Sequence, residues 1–263
     1  MIIDKENLKL PDWNKYAVSQ LDYTSNAERH DLACRYKLMQ ISQDFFIARM
    51  NIIFSDERTD YVDLLKCGLD KECMQKIFVQ NALLYYNFCI DLSWIMIYLY
   101  CLPQKELDFN IPNEEIEKAE KQVNYDVITE YLKFQISITD GEIKCKLERL
   151  LHIIDDFWNK VIKNNFRPIY NYTKHQGAYD ILYINPKKFF KFENFKTNID
   201  IMESKKFDIN KMTNMCIEFN NNFIEYMEKI IRIVIDPSNT KDFYNFNEIG
   251  CNIIKNIIKD TKK

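Results

Sequence analysis

One short stretch concentrates side chains able to handle a phosphate and move a proton: Asn165-Phe166-Arg167-Pro168-Ile169-Tyr170-Asn171-Tyr172-Thr173-Lys174-His175-Gln176-Gly177. Arginine presents a planar fork of fixed charge that fits phosphate oxygens, and histidine exchanges a proton near neutral pH. Asn171 and His175 stand four positions apart. If that segment is helical, the two side chains share a face and reach one phosphate or one ribose hydroxyl. Arg167, Asn171 and His175 are therefore the candidate catalytic residues. Lys174, Tyr170 and Tyr172 are candidate substrate contacts. Together they are the minimum equipment for cleaving RNA through its 2'-hydroxyl. The competing reading is that Arg167 ties down a helix C-terminus while His175 and the tyrosines fill a loop.

The rest of the chain makes these residues informative. It holds 7 arginines against 29 lysines, and its only histidines are His30, His152 and His175. No two histidines have the spacing of a local metal pair, and Glu-x-x-His does not occur, so no metal or other cofactor is expected. His30 reads as a solvated first-turn residue and His152 as a structural one. Gly68, Gly141, Gly177 and Gly250 are the only 4 glycines. Dinucleotide-binding, P-loop and nucleophile-elbow motifs all need glycines in close succession, and all are excluded. The 8 cysteines contain no C-x-x-C, and several lie in apolar helical text, which points to reduced thiols and a cytoplasmic protein.

A charge of -3 from 36 basic and 39 acidic residues gives no global attraction to nucleic acid. Hydrophobic content of 47%, with 16 Tyr and 18 Phe, supplies a large core. The N-terminal text lacks a signal-peptide run. Asp91 splits the apolar stretch 77–102, which reads as a buried helix rather than a membrane span.

These residues must be positioned by helices. Apolar spacings of three, four and seven predict a helix over 26–54, and a second over 71–101 ends at Pro103. A third is predicted from Pro112 to Ile138, and a strongly amphipathic fourth follows the Asp140-Gly141 turn as far as Lys163. Broken periodicity from Phe166 to Lys206, with Pro168, Gly177 and Pro186, predicts an irregular insertion with an extended piece at 181–184. Asp208 is placed to cap a long helix reaching Ile235, and a last helix is predicted over 240–259. The expectation is one all-α domain over 1–263, its core at 26–235: a bundle of six or seven helices with the insertion before the penultimate one. On the second helix Gln80, Asn87, Asp91 and Tyr98 share a face, and Asp91 is a candidate supporting carboxylate for His175 or Arg167.

The segment Arg167 to His175, with Tyr170-Asn171-Tyr172-Thr173-Lys174-His175-Gln176-Gly177 and the earlier Asn81-Ala82-Leu83-Leu84-Tyr85-Tyr86-Asn87-Phe88-Cys89-Ile90-Asp91-Leu92-Ser93-Trp94, resembles the HEPN superfamily of helical domains. The resemblance spans about 26–235. It implies a cytoplasmic homodimer acting on RNA or nucleotides, many relatives being metal-independent endoribonucleases of toxin-antitoxin, abortive-infection or CRISPR-associated systems. By that resemblance Arg167 holds the scissile phosphate, His175 serves the attacking hydroxyl or the leaving group, and an antitoxin-like protein is a partner. The chain departs from the family motif, which places four to six residues between Arg and His. Here seven intervene, and Pro168 directly follows Arg167. Proline biases its predecessor away from helical geometry, so Asn171 is the alternative occupant of the polar position. The alternative function is a non-catalytic binding or regulatory module on the same scaffold.

Overall fold

The computed structural model describes residues 7–18, 29–56, 58–59, 71–102, 114–176 and 208–235. The protein is an all-α helical bundle. Among the described residues there are seven α-helices: α1 (Arg29–Phe54), α2 (Lys71–Cys101), α3 (Glu114–Gln122), α4 (Tyr125–Ile138), α5 (Gly141–Lys163), α6 (Phe166–Gln176) and α7 (Ile209–Val234). A 3-10 turn at Asn14–Tyr16 precedes them. The predicted extended piece at 181–184 and the predicted last helix over 240–259 lie outside the described residues.

Local chemistry sets the helix boundaries. The third predicted helix is in fact two, because Asn124 is extended and its Oδ1 accepts from the Val127 amide at 3.1 Å, starting α4 afresh. Asp208 caps α7 as expected, its Oδ1 accepting from the Lys211 amide at 3.0 Å. Gly141 opens α5 at φ +66°, a left-handed conformation that glycine adopts at no steric cost. Asn165 takes φ 57° between α5 and α6, a role that asparagine fills more readily than most residues.

The insertion predicted from Phe166 begins as a regular helix, which corrects the sequence reading. Proline suits the first turn of a helix, where the amide it lacks would have no intrahelical partner. Pro168 is the third residue of α6, so it costs the helix no hydrogen bond and leaves Arg167 within it.

Residues group into two compact units. The first comprises the described residues of Met1–Lys9, Asp44–Cys89 and Ile154–Tyr226. Its core is aromatic. Phe166 stacks on Phe219 with centroids 4.1 Å apart and planes 9° apart, and Tyr86 meets Phe219 at 5.0 Å and Phe45 at 5.4 Å. Phe157 stacks on Tyr226 at 4.0 Å. Such pairs contribute about 0.5–1.5 kcal/mol each beyond the area they bury. A short N-terminal segment is clamped onto α7: Asn220 Nδ2 donates to the Lys9 carbonyl at 3.1 Å, Asn221 Nδ2 donates to the Asn7 carbonyl at 2.9 Å, and Asn221 Oδ1 accepts from the Lys9 amide at 3.2 Å. Leu8 is buried, and its carbonyl accepts from Arg49 at 3.1 Å.

The second unit comprises the described residues of Leu10–Gln43, Ile90–Ile153 and Met227–Lys263. Ala33, Ile95, Leu99, Leu102 and Ala119 form one of its apolar clusters. Its buried charges are held rather than free. Arg35 donates to the carbonyls of Tyr16 and Ala17 at 2.9 and 2.8 Å, and Lys37 pairs with Glu120. His30 is not a solvated residue: its Nε2–H donates to the Leu102 carbonyl at 2.6 Å, close to the end of α2. His152, expected to be structural, is exposed.

By length and composition α2 is long and apolar enough to cross a membrane, and 67% of its most apolar window is buried inside the protein. Packing within each unit accounts for that apolarity, since Val79, Ala82, Tyr86, Cys89 and Ile90 are all fully enclosed.

Candidate functional site

Helix α6 carries six of the residues singled out by the sequence, and the first unit anchors it from two positions. Phe166, 1% exposed, is sunk into the aromatic core, and Tyr170 is 4% exposed one turn later. Burying positions 166 and 170 leaves Arg167, Asn171, Tyr172 and Lys174 at the margin and on the outside. Arg167 is half-buried, while Asn171 and Lys174 are exposed and Tyr172 is half-buried.

Arg167 is held from two sides. One guanidinium nitrogen donates to Asn87 Oδ1 at 3.2 Å, and its Cζ lies 5.0 Å from the centre of the Tyr170 ring. Asn87 is itself fixed, since its Nδ2 donates to the Leu83 carbonyl one turn earlier on α2 at 2.8 Å. This amide is therefore oriented with its oxygen towards the arginine. Lys174, one turn after Tyr170 on the same helix, has its Nζ 5.8 Å from the Tyr170 ring centre. One buried ring thus attracts two cations, each cation–π contact contributing about 0.5–1 kcal/mol at a partly exposed position.

Tyr170 is consequently a seat for cations and not a platform for a nucleobase, because burial encloses its ring. That changes the role assigned to it from the sequence. Tyr172 keeps partial exposure and remains on the accessible part of the helix. Asn171 and His175 are both helical, which meets the condition under which they share a face. The His175 side chain lies outside what the structure describes. Arg167 and His175 are eight positions apart on one helix, separated by about 12 Å of rise and about 80° of rotation. Asn171 stands midway between them. Asp91 is half-buried and belongs to the second unit, whereas Arg167 and its acceptor Asn87 belong to the first.

Sequence reading placed Asn87 on a polar face of α2 without linking it to Arg167. The signal was a helix-buried asparagine in apolar surroundings, a residue that must find partners. Gln80, two turns earlier on that face, is buried too, and its Nε2 has no hydrogen-bond acceptor among the described residues.

Where α5, α6 and α7 meet there is a cleft floored by Phe157, Phe166 and Phe219 and rimmed by Lys160, Asn164 and Asn222. Its enclosed space of about 10 Å³ is close to that of one water, far short of a nucleobase. Among the described residues no three His, Cys, Asp or Glu side chains gather as a metal site. The described cysteines are free thiols. Burial pushes Cys101 up to about 12 and raises Cys34 and Cys89 well above the ordinary range, so these thiols stay protonated at neutral pH and are poor nucleophiles. Compared with protein-family models, curated proteins and solved structures, the chain finds no match in any of the three.

Proposed function

We propose that this protein is a HEPN-like RNA-acting protein, a metal-independent endoribonuclease whose working face is the outer stripe of α6. The observation that carries the reading is the placement of Arg167, Asn171 and His175 at successive four-residue steps of one helix, with the guanidinium of Arg167 oriented by Asn87. In this reading His175 accepts the proton of a ribose 2'-hydroxyl as its oxygen attacks the adjacent phosphorus. The bond from phosphorus to the 5'-oxygen breaks, that oxygen takes a proton from solvent water, and His175 returns to solvent the proton it accepted. The products are a 2',3'-cyclic phosphate and a 5'-hydroxyl end. Arg167 neutralises the charge that grows on the non-bridging oxygens, and Asn171 donates to the same group. The resemblance to HEPN domains adds a cytoplasmic homodimer in a defence or toxin-antitoxin setting with an inhibitory partner protein.

A second reading is favoured by one measurement on the helix. Eight positions between Arg167 and His175 separate them by about 80° around the axis, more than the offset of an i, i+4 pair. This reading keeps RNA or nucleotide binding and drops cleavage.

The test is incubation of wild type, Arg167→Lys and His175→Ala with total RNA in EDTA, with chemical identification of the new ends. Cleavage by wild type to cyclic-phosphate ends, lost by at least a hundredfold in His175→Ala, is expected. Arg167→Lys keeps the charge and loses the fork, so it should retain only weak activity. Intact RNA with folded wild-type protein overturns the nuclease reading in favour of the binding module.

A further inference from the structure

The segment 157–179 contains no carboxylate, and at 23 residues it is the longest acid-free stretch of the chain. With 39 acids among 263 residues, a stretch of that length would hold about three. It carries instead four fixed cations, Lys160, Lys163, Arg167 and Lys174, within a chain whose net charge is -3. All four sit in the first unit, along the end of α5 and the outer side of α6.

The three lysines are exposed, and none of them forms an ion pair among the described residues. Lys76, Lys121 and Lys146, by contrast, each pair with an acid one turn away on the same helix, Glu72 at 2.8 Å, Glu117 at 3.1 Å and Glu142 at 2.8 Å. Glu218 approaches the strip at Asn164, whose Nδ2 donates to it at 2.9 Å. Lys174 is in addition steadied by the Tyr170 ring that also receives Arg167. A run of cations with three exposed lysines that form no ion pair among the described residues, on an otherwise acidic protein, is the electrostatic form of a polyanion track.

We propose that Lys160, Lys163, Arg167 and Lys174 form a track for the backbone of single-stranded RNA, with Lys174 taking a phosphate further along the strand from the one held by Arg167. This deepens the RNA reading of α6 and rests on it for the identity of the polyanion. Arg167 and Lys174 are seven positions apart, about 10 Å along the helix. Stacked nucleic acid advances about 3.4 Å per phosphate and a splayed strand advances further, so the two cations lie within about three nucleotide steps. Contact is made to phosphates and not to base edges, and binding is therefore insensitive to base sequence.

Counterion release makes the track measurable. Each phosphate neutralised on a single strand adds about 0.7 to the steepness of log K against log salt. Removing one cation should make the affinity lost between 50 and 200 mM salt about 2.6-fold smaller, and removing three about 18-fold smaller. The experiment is fluorescence anisotropy of a labelled 12-nucleotide single-stranded RNA, in EDTA, with wild type, Lys174→Gln, and Lys160→Gln/Lys163→Gln/Lys174→Gln. Lys229→Gln, an exposed lysine elsewhere on α7, serves as the control, and circular dichroism checks that each variant is folded. A graded loss of slope that the control does not share is expected. An unchanged slope in the triple variant, or no binding by wild type, overturns the track. Tighter binding of duplex RNA than of the single strand overturns its assignment to a single strand. A wild type that binds with the expected slopes yet leaves RNA intact keeps the track and refutes the nuclease; cleavage with unchanged slopes does the reverse.

Discussion

Phe166 is where the stability of the fold and the placement of the working helix meet, and its truncation gives the sharpest test. It is the first residue of α6, 1% exposed, stacked on Phe219 at 4.1 Å and 6.4 Å from the Tyr86 ring. Phe166→Ala removes the ring and leaves a void beside a cleft that is now only about one water in size. Truncations of this kind cost about 3–5 kcal/mol, the transfer loss and the cavity together. Total stability is about 5–15 kcal/mol for a typical domain, so the variant should fold but sit near its margin. At about 2–4 °C per kcal/mol for a chain of this size, its Tm should fall by roughly 6–20 °C. Phe166→Leu keeps most of the volume and loses the stack, and should cost about 1–2 kcal/mol. Urea unfolding followed by circular dichroism gives both values, and hydrogen exchange on peptides covering 166–176 reports the helix itself. The Ala variant should raise exchange in α6 more than in α7. A cost below 1 kcal/mol, or unchanged exchange in α6, would refute the claim that this ring anchors the site.

Two further outcomes follow from the first unit. Tyr86→Phe removes the hydroxyl that donates to Asn220 Oδ1 at 3.0 Å, leaving a buried oxygen without that donor; a loss of about 1–3 kcal/mol in urea unfolding is expected, and a neutral result would show that water replaces the hydroxyl. Asp44 is raised above its ordinary value of 3.8 by burial, so the folded protein binds more protons than the unfolded one above that pH. Stability therefore falls as pH rises through the interval between the two values. Asp44→Asn should raise Tm at pH 7 and leave it nearly unchanged below 3.8, where both states are protonated; an equal gain at both pH values would contradict the ionic origin.

Helix periodicity was legible wherever one face is buried throughout. The second helix runs over Lys71–Cys101 as its apolar spacing predicts, and Asp208 caps α7 because a side chain three residues from an amide needs no tertiary help. Errors arose where a local signal has two meanings. Pro168 reads as a breaker from inside a pattern and as a normal first-turn residue once the helix is seen to start at Phe166. Asn124 reads as one more polar residue until its extended backbone shows it to be a cap.

The sequence by itself determined the helical class, the clustering of Arg167, Asn171, Lys174 and His175 on one segment, and the acid-free run around them, because all of these depend on neighbours along the chain. Tertiary structure decided what each of them touches. Asn87, eighty residues earlier, orients Arg167. Tyr170 turns inward and becomes the ring beneath two cations. His30 donates to the Leu102 carbonyl instead of meeting solvent. The physical reason is the same in each case: burial obliges a polar group to find a partner, and the partner available is set by which helices pack together and not by position in the chain.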